Sequence, residues 1–194
     1  MTAPSDPFAH FAAWFAEAKE TEPNDPNAMT VATANQEGYP SARIVLLKEW
    51  DPKGFVFYTN KESRKGDELR ENPRAALLFY WKILHRQVRI EGPIEHVTDA
   101  EADEYYKSRP RVSRLGSWAS IQSRPLAERA DLERRVAEFE AKYPGEDIPR
   151  PAYWSGYRIV PKRIEFWQDM PFRLHDRTIF ERDGAGWRVS KIYP

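Results

Sequence analysis

The sequence predicts a mainly β protein with peripheral helices, an antiparallel barrel of short strands decorated by a few helical segments. Three observations carry this. Apolar and aromatic runs of strand length recur along most of the 194 residues, separated by Gly, Pro, Asn and Asp. Only a few stretches show helical spacing of apolar residues. No repeat, low-complexity segment or domain boundary interrupts the pattern, so residues 1–194 read as one domain, with 1–27 as helix and linker.

In chain order, residues 5–20 form an amphipathic helix capped by Ser5 or Asp6. Phe8, Phe11, Phe15 and Ala18 fall on its buried face. Met29 to Ala34 is a strand, and Gln36 to Pro40 turns it into the next one, Arg43 to Lys48. Asp51-Pro52-Lys53-Gly54 supplies the hairpin chemistry that returns the chain as Phe55 to Tyr58. Ser63 caps a short helix ending near Asn72-Pro73. Arg74 to Trp81 and Arg86 to Glu91 are strands, the second with Gln87, Arg89 and Glu91 on one face; Gly92-Pro93 breaks it before Ile94 to Val97. Thr98 and Glu101 form a capping box for a helix over 99–108, which leads into an arginine-rich loop at 109–114. The longest helix is expected over 125–142, and four strands follow: 153–160, 163–168, 174–181 and 187–193.

Composition narrows the function. Thirty basic residues balance thirty acidic ones, so no global field gathers nucleic acid or an acidic membrane. With no cysteine there is no disulfide, thiolate nucleophile or thiolate metal site. The N-terminal residues show no signal-peptide pattern, and the longest apolar run, Ala75 to Trp81, is too short to span a bilayer. A soluble cytoplasmic protein is expected. The four histidines lack ligand spacing, so no metal site is assigned, and no nucleotide-loop, hydrolase-elbow or zinc-protease motif occurs.

The stretch Ser41 to Lys65 holds the sharpest signal. Strand parity puts Arg43 and Lys48, five apart, on opposite faces unless a bulge intervenes. Arg64 and Lys65 occupy the first turn of a helix, where the dipole disfavours cations but free N–H groups favour a phosphate. Solvated surface charge is the plain alternative; four cations with a Ser and a Thr in one supersecondary unit favour an anion site. Farther on, Arg173, His175 and Arg177 share one face if their segment is extended, unless they pair across strands with Glu165 or Asp169.

The ordered blocks ARIVLLK, FVFYTN, SRK, RQVRIEG, YYKSRP, SRLGSWAS, QS, IEFWQ and RLHDR belong to a match that covers residues 28–194. In order and spacing they resemble the pyridoxine/pyridoxamine 5′-phosphate oxidase family. That resemblance implies an FMN-binding split barrel and a homodimer with FMN at the subunit interface. It also implies oxidation of pyridoxamine or pyridoxine 5′-phosphate to pyridoxal 5′-phosphate, with O2 as acceptor and H2O2 released. By position, Arg43, Lys48, Tyr58, Thr59, Arg64, Lys65, Gln87, Gln122, Ser123, Trp167 and Arg177 match the family's FMN contacts. Lys48, Tyr105, Arg109 and Ser113 match its grip on the substrate phosphate. Arg173 and His175 match the catalytic pair that contacts the substrate over the flavin.

Departures accompany the match. An N-terminal basic and Tyr-containing arm that closes over the substrate in relatives is expected to be missing. Met170 and Val112 stand where many relatives have Arg and Gly or Asp, and are expected to tune affinity, Val112 by stiffening the 109–113 loop. Two other readings stay open: a sister flavin oxidase acting on a phenazine precursor, and a non-catalytic flavin- or haem-binding split barrel.

Overall fold

The computed structural model describes residues 6–194, and Ser5, the alternative helix cap, lies outside them. The chain runs α1 (Pro7–Thr21), β1 (Ala28–Ala34), β2 (Pro40–Leu46), β3 (Glu49–Asp51), β4 (Gly54–Asn60), α2 (Arg64–Glu71), β5 (Arg74–Trp81) and β6 (Arg86–His96). It continues through α3 (Asp99–Ser108), α4 (Arg111–Ala119), α5 (Arg129–Lys142), β7 (Trp154–Ile159), β8 (Arg163–Gln168), β9 (Asp176–Asp183) and β10 (Gly186–Lys191).

Every strand pairing is antiparallel. One path runs β10-β9-β8-β6-β5-β1-β2, and a second arm of β3, β4 and β7 joins it through β6. The joint is at Gly92-Pro93. Before it, Arg86–Glu91 pairs with β8; after it, Ile94–His96 pairs with β7. The expected strand break is therefore a corner, where one continuous β6 passes between neighbours. Gly is needed there because a Cβ would lie 2.0 Å from the Val160 carbonyl oxygen.

The inner face of the curled sheet carries Val31, Leu77, Phe79, Val88, Ile90, Ile164, Phe166 and Phe180, all buried. α1 covers it with the stripe read from sequence: Phe11 packs 5.0 Å from Phe55 and 5.3 Å from Phe79, ring to ring. Asp6 caps the helix, its carboxylate accepting from the Phe8 N–H at 2.9 Å. The Thr98–Glu101 capping box forms as expected.

Four local readings need correction. β2 ends at Leu46, and the Asp51–Gly54 turn joins β3 to β4, because Leu47 turns into the core and ends the alternation. Ser63 stands at the N-cap of α2 without capping it, since its hydroxyl donates to the Asn60 carbonyl at 2.7 Å. The arginine-rich "loop" is helix α4 from Arg111, with Val112 exposed, so Val112 does not restrain a loop next to Ser113. α5 starts at Arg129, not 125, and α1 is longer by one residue, 15 against 14.

Candidate active site

A cavity of about 940 Å3 opens between β2, β4, the start of α2, the α3–α4 corner and β7. Eleven of the residues singled out from sequence line it. Arg43 comes from β2, Lys48 from the link to β3, Tyr58 and Thr59 from β4, and Arg64 and Lys65 from α2. Tyr105 and Arg109 come from the end of α3, Ser113 from α4, and Gln122 and Ser123 from the segment after it. The break after Leu46 lets Arg43 and Lys48 reach the same cavity, so the opposite-face expectation from unbroken parity does not hold.

One end is a cation cluster at the start of α2. Lys65 is buried, and its Nζ bonds only neutral oxygens: Thr59 Oγ1 at 2.9 Å, Gln122 Oε1 at 3.0 Å and Ser63 Oγ at 3.1 Å. Burial, then the nearby Arg43 charge, push its pKa down to about 8, against the opposing pull of Glu68. Because Ser63 bonds elsewhere, the first N–H groups of α2 keep no side-chain cap. Glu68 is the cluster's carboxylate. Burial works to raise its pKa, but hydrogen bonds from Ser41, Thr33 and Arg64 and the Arg43 charge hold it at about 2.

The other end is aromatic and cationic. Tyr58 stacks on Tyr105 at 4.2 Å and on Trp154 at 5.4 Å between ring centroids. The Arg109 guanidinium lies 4.7 Å over Trp154, donates to Ser117 Oγ at 2.6 Å, and has its pKa lowered first by burial. Lys48 Nζ sits 5.7 Å from the Tyr105 ring. Among the described residues, Lys48, Lys65 and Arg109 form no ion pair, although the protein has acidic groups to spare. Charged groups left without counter-charge around a cavity are what an anionic ligand completes.

Five of the expected residues lie outside this cavity. Gln87, Trp167 and Arg177 form one cross-strand row over β6, β8 and β9 on the sheet face away from α1. Arg177 is paired with Glu165 at 2.6 Å, and His175 Nδ1 lies 2.9 Å from Asp169, the two across-strand partners named as the alternative. Arg173, His175 and Arg177 do not share an extended face. Pro171–Leu174 is a tight turn closed by the Leu174 N–H on the Pro171 carbonyl, in which Phe172 and Arg173 take φ of 60° and 63°, and β9 begins only at Asp176. Arg173 is exposed on that turn.

Trp154, Ser117 and Glu68 escaped the sequence reading. Glu68 had a signal, standing one helical turn after Arg64. Ser117 had one too, four after Ser113, but only once α4 is recognised as a helix. Trp154 had none, because its role depends on β7 pairing with β4.

The residues fit a flavin mononucleotide: an anion seat at a helix start, hydroxyl and amide groups beside it, and a cavity wide enough for a fused ring. Residues 15–143 match the family model for pyridoxamine 5′-phosphate oxidase, and residues 154–194 match the pyridoxine 5′-phosphate oxidase C-terminal dimerisation region. The chain is 60% identical to the pyridoxine/pyridoxamine 5′-phosphate oxidase of Gluconobacter oxydans, over 98% of this chain and 95% of that one. It is 60% identical to the enzyme so named from Rhodospirillum rubrum, over 97% and 96%. Among solved structures it resembles PhzG from Burkholderia lata 383, crystallised with tetrahydrophenazine-1-carboxylic acid, at TM-score 0.93 and 35% identity, covering 100% of this chain and 95% of that one. An FMN-binding protein from Nostoc punctiforme shares the fold at TM-score 0.78 and 16% identity, over 99% and 100%. On these matches, which cover nearly its whole length, the chain is a homodimer-forming member of the pyridoxine/pyridoxamine 5′-phosphate oxidase family.

Proposed function

We propose that this chain catalyses the FMN-dependent oxidation of pyridoxamine 5′-phosphate or pyridoxine 5′-phosphate to pyridoxal 5′-phosphate. The observation that carries the reading is one cavity with uncompensated cations at both ends, Lys65 beside Arg43 and Arg64 at one and Arg109 with Lys48 at the other. Two phosphate monoesters, one on the cofactor and one on the substrate, supply the missing charge.

Arg43, Arg64, Lys65, Thr59, Gln122 and Ser123 hold the cofactor end. Lys48, Tyr105, Arg109 and Ser113 hold the substrate phosphate, with Trp154 and Ser117 fixing the Arg109 guanidinium in place. FMN supplies a two-electron acceptor that O2 reoxidises with release of H2O2. The protein's contribution is to bind both phosphates so that the substrate ring is stacked and oriented for loss of hydrogen from its 4′ carbon. Asp169 at 2.9 Å and the Met170 N–H at 3.3 Å, which donates to Nδ1, hold the His175 ring from that side and leave Nε2 for the substrate.

Gln87, Trp167, Arg173, His175 and Arg177 complete the site from the partner subunit, with FMN at the interface. Two facts support this: they lie outside the cavity of their own chain, and all but Gln87, the cross-strand neighbour of Trp167, fall within the dimerisation region. Phe172 and Leu174, 93% and 69% exposed on either side of Arg173, are apolar surface that a partner subunit would cover.

The test is to reduce the yellow holoprotein with pyridoxamine 5′-phosphate without oxygen. Bleaching, then recovery of colour with peroxide on admitting air, is expected; a flavoprotein that stays yellow removes the substrate assignment. The likeness to PhzG keeps a phenazine-type substrate in the comparison. Turnover of pyridoxine 5′-phosphate but not of unphosphorylated pyridoxine separates the two, because a phenazine carboxylate has no use for a phosphate grip.

A further inference from the structure

Glu68 is an anomaly in a seat built for an anion. A carboxylate held at about pKa 2 is charged at every working pH and repels the phosphate that the seat is proposed to take. It is buried in α2, and both its oxygens are used. Oε1 accepts from Arg64 Nε at 2.9 Å; Oε2 accepts from Ser41 Oγ at 2.6 Å, from Thr33 Oγ1, and from Arg43 NH2 at 3.3 Å.

The two arginines are held differently. Arg43 gives NH1 to the Val31 carbonyl at 3.2 Å and to Thr33 Oγ1 at 2.6 Å, and NH2 to Ser41 and Glu68. Four of the five guanidinium N–H groups are thereby engaged and the side chain is fixed. Arg64 is mostly exposed and engages Glu68 through Nε alone, so its NH1–NH2 edge, the fork that suits a phosphate, stays free. An exposed arginine otherwise samples many rotamers and loses that freedom on binding. Three cations, Arg43, Arg64 and Lys65, against one carboxylate leave a net charge of +2, the complement of a phosphate dianion.

We propose that Glu68 is a positioning residue: it pins Arg43 and aims the free edge of Arg64, so that the seat discriminates for the phosphate monoester of the flavin. This rests on the reading of the cavity as the FMN site, and it extends that reading to a residue that does not touch the ligand.

The test measures dissociation constants of FMN and riboflavin for the apoprotein by flavin fluorescence quenching, in the parent and in Glu68→Gln. The parent measurement stands alone: no preference for FMN over riboflavin would refute the underlying site reading before any variant is made. Given that preference, Glu68→Gln is expected to weaken FMN by roughly 10–100-fold, the worth of one or two charge-assisted bonds, while riboflavin binding stays the same. An equal loss for both ligands would reduce Glu68 to a structural residue and overturn the proposal. So would unchanged FMN binding, and so would tighter FMN binding, which would mean that charge repulsion outweighs alignment. Glu68→Asp guards against a Gln variant that does not fold. It keeps the charge but draws back by one methylene, and its FMN-over-riboflavin ratio is expected between those of the parent and Gln; a ratio equal to the parent's would also overturn the proposal.

Discussion

Replacing Gly66 with alanine tests the α2 start at a single atom. Gly66 is buried in the first turn of the helix, directly after Lys65. A Cβ there would lie 1.9 Å from the Lys61 carbonyl oxygen, 2.4 Å from its carbonyl carbon and 2.8 Å from its Cα. All three are backbone atoms, so no rotamer change relieves them. Moving the oxygen contact from 1.9 Å to even 3.0 Å requires a retreat of about 1.1 Å. The Lys61 side is anchored, its N–H donating to the Tyr153 carbonyl at 2.7 Å, so α2 must give way and carry Arg64 and Lys65 with it. Overpacking of this kind costs about 1–3 kcal/mol, or roughly 2–12 °C in Tm for a chain of this size. A displacement of about 1 Å also misaligns the Lys65 and Arg64 donors, and FMN affinity is expected to fall about tenfold or more. Thermal unfolding of the apoprotein reads the first effect and fluorescence titration with FMN the second. Gly116→Ala is the control for the unfolding measurement alone, since Gly116 also lines the cavity: it lies within α4 with nothing within 4 Å of the added carbon, and is expected to stabilise by up to about 1 kcal/mol. A Gly66→Ala protein with the Tm and FMN affinity of its parent would refute the claim that this close approach sets the seat.

Arg109→Lys removes the planar stack on Trp154, and with it KM for pyridoxine 5′-phosphate should rise by roughly 10–100-fold in steady-state assays, with kcat changed less. Glu165 is buried among Arg89, Arg163 and Arg177, so Glu165→Gln should cost about 1–3 kcal/mol in denaturant unfolding, the partly exposed arginines moderating the loss. His10 stacks on Phe166 at 4.0 Å with its buried Nδ1 unbonded, and burial, then the Arg86 charge, lower its pKa below 6.5. The unfolded chain therefore takes up a proton first as pH falls, and this share of stability is present above pH 6.5, declines below it and levels off once the folded form is also protonated. His10→Phe should remove that part of the acid sensitivity in unfolding curves recorded across this range.

What the sequence made legible was whatever depends on local periodicity. The α1 stripe, the β5 and β8 strands, the Thr98–Glu101 box and the Asp51–Gly54 turn follow from residues within a few positions of one another, and all stand in the fold. Misreadings arose where a tertiary partner overrides a local signal. Gly92-Pro93 has the chemistry of a strand break, yet β8 and β7 pair on either side of it and turn the break into a corner. Ser63 has the identity of a cap, yet the Asn60 carbonyl claims its hydroxyl. The run Arg109 to Arg114 reads as a loop from its own residues, but Arg111 and Arg114 are drawn onto Glu140 and Glu146, far away in sequence, and the chain from Arg111 is helix α4.

The candidate site divides along the same line, with a further step. Residues whose placement depends on one chain's own fold came together in the cavity: Arg43, Lys48, Tyr58, Arg64, Lys65, Tyr105 and Arg109. Arg173, His175 and Arg177 did not, and within one protomer the latter two show the pairing that the plain reading named, with Asp169 and Glu165, besides contacts of His175 with Trp167 and of Arg177 with the Tyr193 carbonyl. Such pairing does not exclude a role in a ligand site. Asp169 orients an imidazole, Glu165 holds a guanidinium, and a turn with two consecutive left-handed residues, one of them the exposed Phe172, is costly surface for an isolated protomer. The partner face that would offset that cost is a property of the dimer, and no period or spacing within one sequence encodes it.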